Sequence, residues 1–326
     1  MKWDNQITRL LGCNYPIIQG AYHGFGTSAI AAPVSDAGAF GLITASALKT
    51  PERLREDIIK AKSMTDKPFG VNLTIGLFPG MEEMLDVVIE EEIPVVETAA
   101  FNAEEYGKRL KKADIIWIHK VATVQHAISA QNQGADAVVI VGLEGTGFKH
   151  ISQLTTLISI TLAVKKLKIP LIAAGGIADA YGFLACLGMG AEGIYMGTAF
   201  MATEECPISD RFKQSLVNAN PTDPKIRDRC LAPPPPEEYA KVMKKRGKVS
   251  EEEWLQDLEM VLLKATSDEK EKTMKSEDLS EGVLSFAGGS LAVSAIERIV
   301  SVKKLIDGII KDAEEIIENG KFPLAE

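Results

Sequence analysis

The sequence predicts an α/β chain closed into a (β/α)8, or TIM, barrel, with a helical lid insertion after the eighth strand. Three observations predict it. Short apolar runs alternate with helical stretches, and their repeat of roughly 20–30 residues is that of parallel strands joined by crossover helices. Eight such units fall between residues 16 and 204, which favours a closed barrel over an open doubly wound sheet. The last two strands both run into glycine, as at the phosphate cradle that such barrels often carry after strands seven and eight.

Residues 16–20 (PIIQG) read as the first strand, followed by a helix over 28–37 that stops at Gly38. Residues 40–44 form the second; its helix follows Thr50 and Pro51, a capping hydroxyl and a ring suited to a first turn. The third strand, 69–73, leads through a loop at Pro79-Gly80 to a helix from Met81. Residues 94–98 and 115–118 are the fourth and fifth, with helical periodicity over 122–133, and 137–141 is the sixth. Residues 170–174 (PLIAA) and 193–196 (GIYM) are unbroken apolar runs, as strands covered on both faces require. After them, Gly175-Gly176 and Gly197-Thr198 present backbone with little or no side chain. Two loop backbones can then approach a ligand closely, and N–H groups leading into the next helix favour an anion.

No strand pattern occurs over 205–278, where PPPP at 233–236 breaks the chain and the charged segments 237–246 and 250–264 read as helices. This insertion, residues 205–280, would roof the catalytic face of a barrel domain spanning 1–204, or would be a solvated appendage packed on it. Residues 281–326 return to the barrel. GVLSFAGGS at 282–290 is glycine-rich, and the segments from Leu291 onward alternate apolar and charged residues as an outer ring of helices does.

The chain has 326 residues, 46% of them hydrophobic, and a formal net charge of −9. That balance argues for a globular protein and against a nucleic-acid surface. No run approaches the ~18 apolar residues of a membrane span and the start lacks an apolar leader core, so a cytoplasmic location is expected. Cys13, Cys186, Cys206 and Cys230 are scattered without metal-ligand spacing and read as reduced thiols. The terminal helix could support a homodimer.

Five strings, PIIQG, GVNL, IHKVATVQHA, AAGGIAD and MGTAFMATEEC, each stand at a strand end and in order. Through them the chain resembles the nitronate monooxygenase family, formerly 2-nitropropane dioxygenases. These are FMN-dependent barrels that also include NAD(P)H:quinone reductases and a flavin enoyl-ACP reductase. The resemblance covers most of residues 14–206 and again 288–290. It implies that Gly175, Gly176, Gly197 and Thr198, with Ala174 at the strand end beside them, hold the FMN phosphate. It implies that Gln19, Gly20 and Ala21 lie against the flavin ring. Asn72 and Lys120 would hydrogen-bond the flavin edge and stabilise the negative charge of the reduced cofactor. Gly288, Gly289 and Ser290 would close over the cofactor, or simply start a helix.

One position departs from the family pattern. The family's proton-transferring histidine ends a string GxExxGH, where this chain reads Gly142-Leu143-Glu144-Gly145-Thr146-Gly147-Phe148. Phe148 cannot move a proton, so deprotonation of a neutral nitroalkane loses its usual agent. Oxidation of a nitronate, already deprotonated, needs no base, and neither does hydride transfer from NAD(P)H to the flavin. His23, in the glycine-flanked loop after the first strand, is the foremost substitute, with Tyr22 as a hydrogen-bond donor to a substrate oxygen. His150 and Glu144 are weaker candidates; His119 and His126 read as structural. The expected activity is an FMN-dependent oxidoreductase acting on nitronates or similar small anions with O2. The alternatives are an NAD(P)H-dependent reductase of a quinone or enoyl thioester, and a flavin-binding protein without catalysis.

Overall fold

The structure is a computed structural model that describes residues 1–21, 25–147, 149–232, 234–263 and 289–320. Helix α1 (Gln6–Leu11) is opened by a capping box in which Asn5 accepts the Thr8 N–H and the Thr8 hydroxyl accepts the Asn5 N–H. Then follow β1 (Ile17–Gln19), α2 (Ser28–Asp36), β2 (Gly41–Thr44), α3 (Ala45–Leu48), α4 (Pro51–Met64) and β3 (Phe69–Ile75). The series continues with α5 (Met81–Glu90), β4 (Val95–Ala100), α6 (Glu104–Lys112), β5 (Ile116–Val121), α7 (Val124–Asn132) and β6 (Ala137–Val141). It ends with α8 (Thr156–Ala163), β7 (Leu171–Ala174), α9 (Ala180–Gly188) and β8 (Gly193–Met196).

All eight strands are parallel, in the order β1-β8-β7-β6-β5-β4-β3-β2. The seam between β1 and β2 is closed by Gln19 N–H on the Phe40 carbonyl and Phe40 N–H on the Ile17 carbonyl, both 2.9 Å. The sheet is therefore the expected (β/α)8 barrel. Side chains alternate across it with a period of two. Ile18, Leu42, Val95, Ile118, Val139, Ile172 and Tyr195 share one cluster with Ile7 and Leu11 of α1. Val71, Leu73, Val96, Trp117, Val138 and Ile194 belong to the larger cluster shared with the surrounding helices. Asn5 Nδ2 donates to the Glu192 carbonyl just before β8, so α1 sits at the N-terminal end of the barrel and leaves the other end for the site.

After β8 the chain forms α10 (Thr198–Met201), α11 (Asp210–Val217), α12 (Pro224–Leu231), α13 (Pro236–Lys245) and α14 (Glu251–Leu263), with no strand among the described residues. Helices α13 and α14 pack on each other through Val242, Trp254 and Leu258 and rest on Leu77, beyond β3. From Ser290 a short 3-10 turn, Leu291–Ala295, leads to Val300, which bridges to Thr203, and to α15 (Val302–Glu318) against α9 and α2. Within the described residues no helix is long and apolar enough to cross a membrane. All four cysteines are free, and burial pushes the Cys13, Cys186 and Cys206 thiols up to about 12, which leaves them unreactive.

Candidate functional site

A cavity of about 800 Å³ opens at the C-terminal ends of the strands, near the top of the usual size range for ligand sites. Its floor is the last inward layer of the barrel. Alternation on β3, β4, β5 and β8 brings Asn72, Glu97, Lys120 and Tyr195 to the same level. Asn72 Nδ2 donates to Glu97 Oε2 at 2.9 Å, and the Tyr195 hydroxyl donates to the same oxygen at 3.0 Å. Lys120 Nζ and the Ala21 N–H donate to that hydroxyl at 3.1 and 2.6 Å. Glu97 is only 1% exposed, and its Oε1 has no hydrogen bond, lying 3.4 Å from Lys120 Nζ. The carboxylate thus balances the lysine from below, and the ammonium faces the cavity with a fifth of its side chain exposed.

The glycine cradle stands on the opposite wall, where Ala174, Gly175, Gly176, Gly197 and Thr198 line the cavity. Gly175 and Gly176 have φ of +110° and +75°, a region costly to any side chain. A Cβ on Gly175 would lie 2.7 Å from Thr156 Oγ1, and one on Gly176 3.0 Å from Glu144 Cβ. The backbone N–H groups of Gly176 and Thr198 meet no acceptor among the described residues. Two unsatisfied donors on side-chain-free backbone fit a phosphate-sized anion. The returning chain completes this wall: Ser290 N–H donates to Thr198 Oγ1 at 3.0 Å, and the two hydroxyls are 2.8 Å apart.

Several expected residues are spent otherwise. The Gln19 side chain is fully buried and locks the barrel seam, its Nε2 on the Leu42 carbonyl at 3.0 Å and its Oε1 taking the Leu42 N–H; it does not line the cavity. Gly20 and Ala21 do line it. Gly289 turns the chain with φ +79° behind Ser290 and is not in the cavity wall. The carboxylate of Glu144 takes both the N–H and the hydroxyl of Thr156, at 2.7 and 2.8 Å, and so anchors the start of α8; it is not a free base. Tyr22, His23, Phe148 and Gly288 lie outside the described residues.

Sequence reasoning missed Glu97 and Tyr195. A carboxylate inside the apolar run PVVETAA was the available signal, since a buried acid must have partners. It also read His119 and His126 as structural, yet both line the cavity, together with His150, one of the weaker candidates for the missing proton carrier. His119 Nδ1 sits 2.8 Å from the Thr98 hydroxyl, and burial pushes the imidazole down to about 4, so it is neutral. His126 and His150 meet edge to face, ring centroids 5.0 Å apart, and both titrate below the ordinary range through burial, His150 also through His126. Ser152 N–H donates to His150 Nδ1 at 3.0 Å, which fixes its ring. Lys149 is buried beneath the loop after β6; its Nζ donates to the Leu143 and Gly145 carbonyls at 2.6 Å each, while its N–H reaches Leu262 of α14 at 3.0 Å. Tyr239, Gln256, Leu258, Met260 and Leu262 bring α13 and α14 into the cavity wall.

Among known proteins, a family model described as nitronate monooxygenase matches residues 4–79 and 75–312. A probable nitronate monooxygenase of Staphylococcus haemolyticus is 32% identical over 272 residues, 70% of this chain and 76% of that protein. A (3aS,4S,5R,7aS)-5-hydroxy-7a-methyl-1-oxo-octahydro-1H-indene-4-carboxyl-CoA dehydrogenase of Rhodococcus jostii is 33% identical over 211 residues, 65% of this chain. The match spans 59% of that relative's length, and 61% of its Mycobacterium tuberculosis counterpart. The structure of FabK from Thermotoga maritima superposes with a TM-score of 0.76 at 30% identity, covering 98% of this chain and 99% of that one.

Proposed function

The chain belongs to the nitronate monooxygenase family, and we propose that it is an FMN-dependent oxidoreductase whose cofactor lies across the C-terminal mouth of the barrel. One observation carries the reading: a glycine cradle with unsatisfied N–H donors faces a lysine-bearing floor across a single cavity. Gly175, Gly176, Gly197 and Thr198 would hold the phosphate, with Ser290 steadying Thr198, while Gly20 and Ala21 give the ring room. Asn72 and Lys120 would meet its polar edge. FMN, when bound, supplies an acceptor for the substrate's electrons and a donor to oxygen or another oxidant.

This chain's own residues orient and exclude. Lys120 holds a positive charge where an anionic ligand comes to rest, and Glu97 and Tyr195 fix its position. Helices α13 and α14 act as a lid that keeps water from the cavity. Phe148 leaves the loop after β6 without the family's proton carrier, which suits substrates that arrive deprotonated, nitronates first among them. A second reading, NAD(P)H-dependent reduction of a quinone or an enoyl thioester, draws on the Rhodococcus relative, whose name specifies a CoA thioester.

Anaerobic stopped-flow absorbance of the purified protein with NADH, NADPH and ethylnitronate in turn tests both. Loss of the visible flavin band with ethylnitronate alone supports nitronate oxidation, and loss with a nicotinamide supports the reductase. A colourless protein that gains no thermal stability from added FMN would sink the proposal. Gly176→Glu is expected to abolish flavin retention, because a carboxylate then occupies the anion's place; normal FMN content would put the cradle elsewhere.

A further inference from the structure

Glu97 is a carboxylate where an amide would satisfy every hydrogen bond it makes. Asn72 Nδ2 and the Tyr195 hydroxyl both donate to one oxygen, Oε2, at 2.9 and 3.0 Å. The other oxygen, Oε1, is buried without a hydrogen-bond partner among the described residues and lies 3.4 Å from Lys120 Nζ. A buried acceptor left without a donor is unfavourable and rare in folded chains. What an amide could not supply there is the charge. The carboxylate stands behind the lysine, since Lys120 lines the main cavity and Glu97 does not. Lys120 has further anchors: its Nζ donates to the Tyr195 hydroxyl at 3.1 Å and stands 4.9 Å from the centre of that ring. An amide at position 97 would therefore leave the ammonium in place.

We infer that Glu97 is a positioning residue that acts through charge: it moderates the hold of Lys120 on a negative charge in the cavity, and so sets how readily the reduced cofactor gives up its electrons. The second half of this inference rests on FMN lying over Lys120. An anion touching Lys120 from the cavity lies roughly 3 Å from the ammonium and about 6 Å from the carboxylate behind it, so the carboxylate offsets about half of the attraction. The flavin ring is neutral when oxidised and negative when reduced. Glu97 disfavours the reduced form, which makes the bound reduced cofactor a stronger reductant. Such a floor suits passing electrons on to oxygen or another acceptor rather than retaining an anion.

The test is the midpoint potential of the bound flavin, measured by dye equilibration in the wild type, Glu97→Gln and Glu97→Asp. Removing the charge should favour the reduced form about ten- to a hundredfold, a rise of about 30–60 mV for a two-electron couple. Glu97→Asp keeps the charge and should shift by less than half as much. Equal potentials in Glu97→Gln and the wild type would overturn the inference and leave the flavin reading intact. So would equal shifts in the two variants, which a change of packing alone would give. A second arm needs no flavin. Nitrate titrated calorimetrically into flavin-free protein should bind Glu97→Gln about tenfold more tightly than the wild type, and equal affinities would overturn the inference. A protein that never takes up FMN yet shows the nitrate difference would overturn the flavin reading and keep Glu97 as the counter-charge of Lys120.

Discussion

His119 converts burial into a pH dependence whose sign can be worked out. Its imidazole titrates near 4 in the folded chain against 6.5 when free, because the buried site disfavours the cation. Below 6.5 the unfolded chain takes up a proton that the folded chain refuses, so stability falls as pH drops from 6.5 towards 4, by up to about 3 kcal/mol. His126 and His150 shift in the same direction and add to the slope. Urea denaturation at pH 7 and pH 5 should show a smaller difference for His119→Asn than for the wild type; an unchanged difference would mean that His119 does not supply it. Glu97 is the second residue with large consequences. It accepts from Asn72 and Tyr195 and faces Lys120, so Glu97→Leu strands two donors and a cation at once. The expected loss is about 2–4 kcal/mol, read by the same denaturation, together with a displaced Lys120 and weaker flavin retention. A variant as stable as the wild type would mean that the network is not holding the floor together.

The elements divide by how much of their packing is written locally. Strands β1 to β8 were legible because a parallel strand covered on both faces must be an apolar run, and β6 and β7, at AVVIV and LIAA, are little else. Helix α6 was missed because EEYGKRLKK buries only Tyr106, Gly107 and Leu110 against the barrel, too thin a stripe to stand out. Helix α8 is hard to bound for the opposite reason, being apolar nearly all round and so without a periodic signal. In the site, the glycine pairs after β7 and β8 stood out in the sequence, and Gly175, Gly176 and Gly197 line the cavity. The Asn72-Glu97-Lys120-Tyr195 floor was only half seen, because its members come from four strands and meet only when the barrel closes. The motif around Gln19 does not reveal that its amide meets Leu42 across the seam. Glu144 illustrates an element anchored from a distance, its carboxylate twelve residues before the Thr156 it caps. Glu144→Ala should cost about 1 kcal/mol, a fall of roughly 2–4 °C in melting temperature. A melting temperature unchanged in a scan would mean that α8 is held by its neighbours alone.

At the scale of the whole molecule, the barrel is finished by chain that lies far from it in sequence. Helix α15 supplies the outer layer over α9 and α2, burying Val302, Ile306, Ile309, Ile310, Ala313 and Ile316. The segment before it is tied to the end of β8 at three successive points. Ser290 meets Thr198, Val300 bridges Thr203, and the Val302 N–H reaches Glu205 Oε2 at 2.8 Å. The first residues join in, with Trp3 Nε1 on Glu314 Oε1 at 3.1 Å and its ring 5.0 Å from Phe183 of α9. Removing α15 would expose six aliphatic or small apolar side chains and the face of α9 they cover. At about 1.5–3 kcal/mol for each large one, that loss rivals the whole margin of about 5–15 kcal/mol by which a domain is stable. A chain ended at Val300 should therefore lose cooperative thermal unfolding, and with it the pairing of Ser290 with Thr198 that completes the cradle. Differential scanning calorimetry separates the outcomes: no transition is expected for the truncated chain, whereas a sharp one would mean that the barrel closes without its last helix.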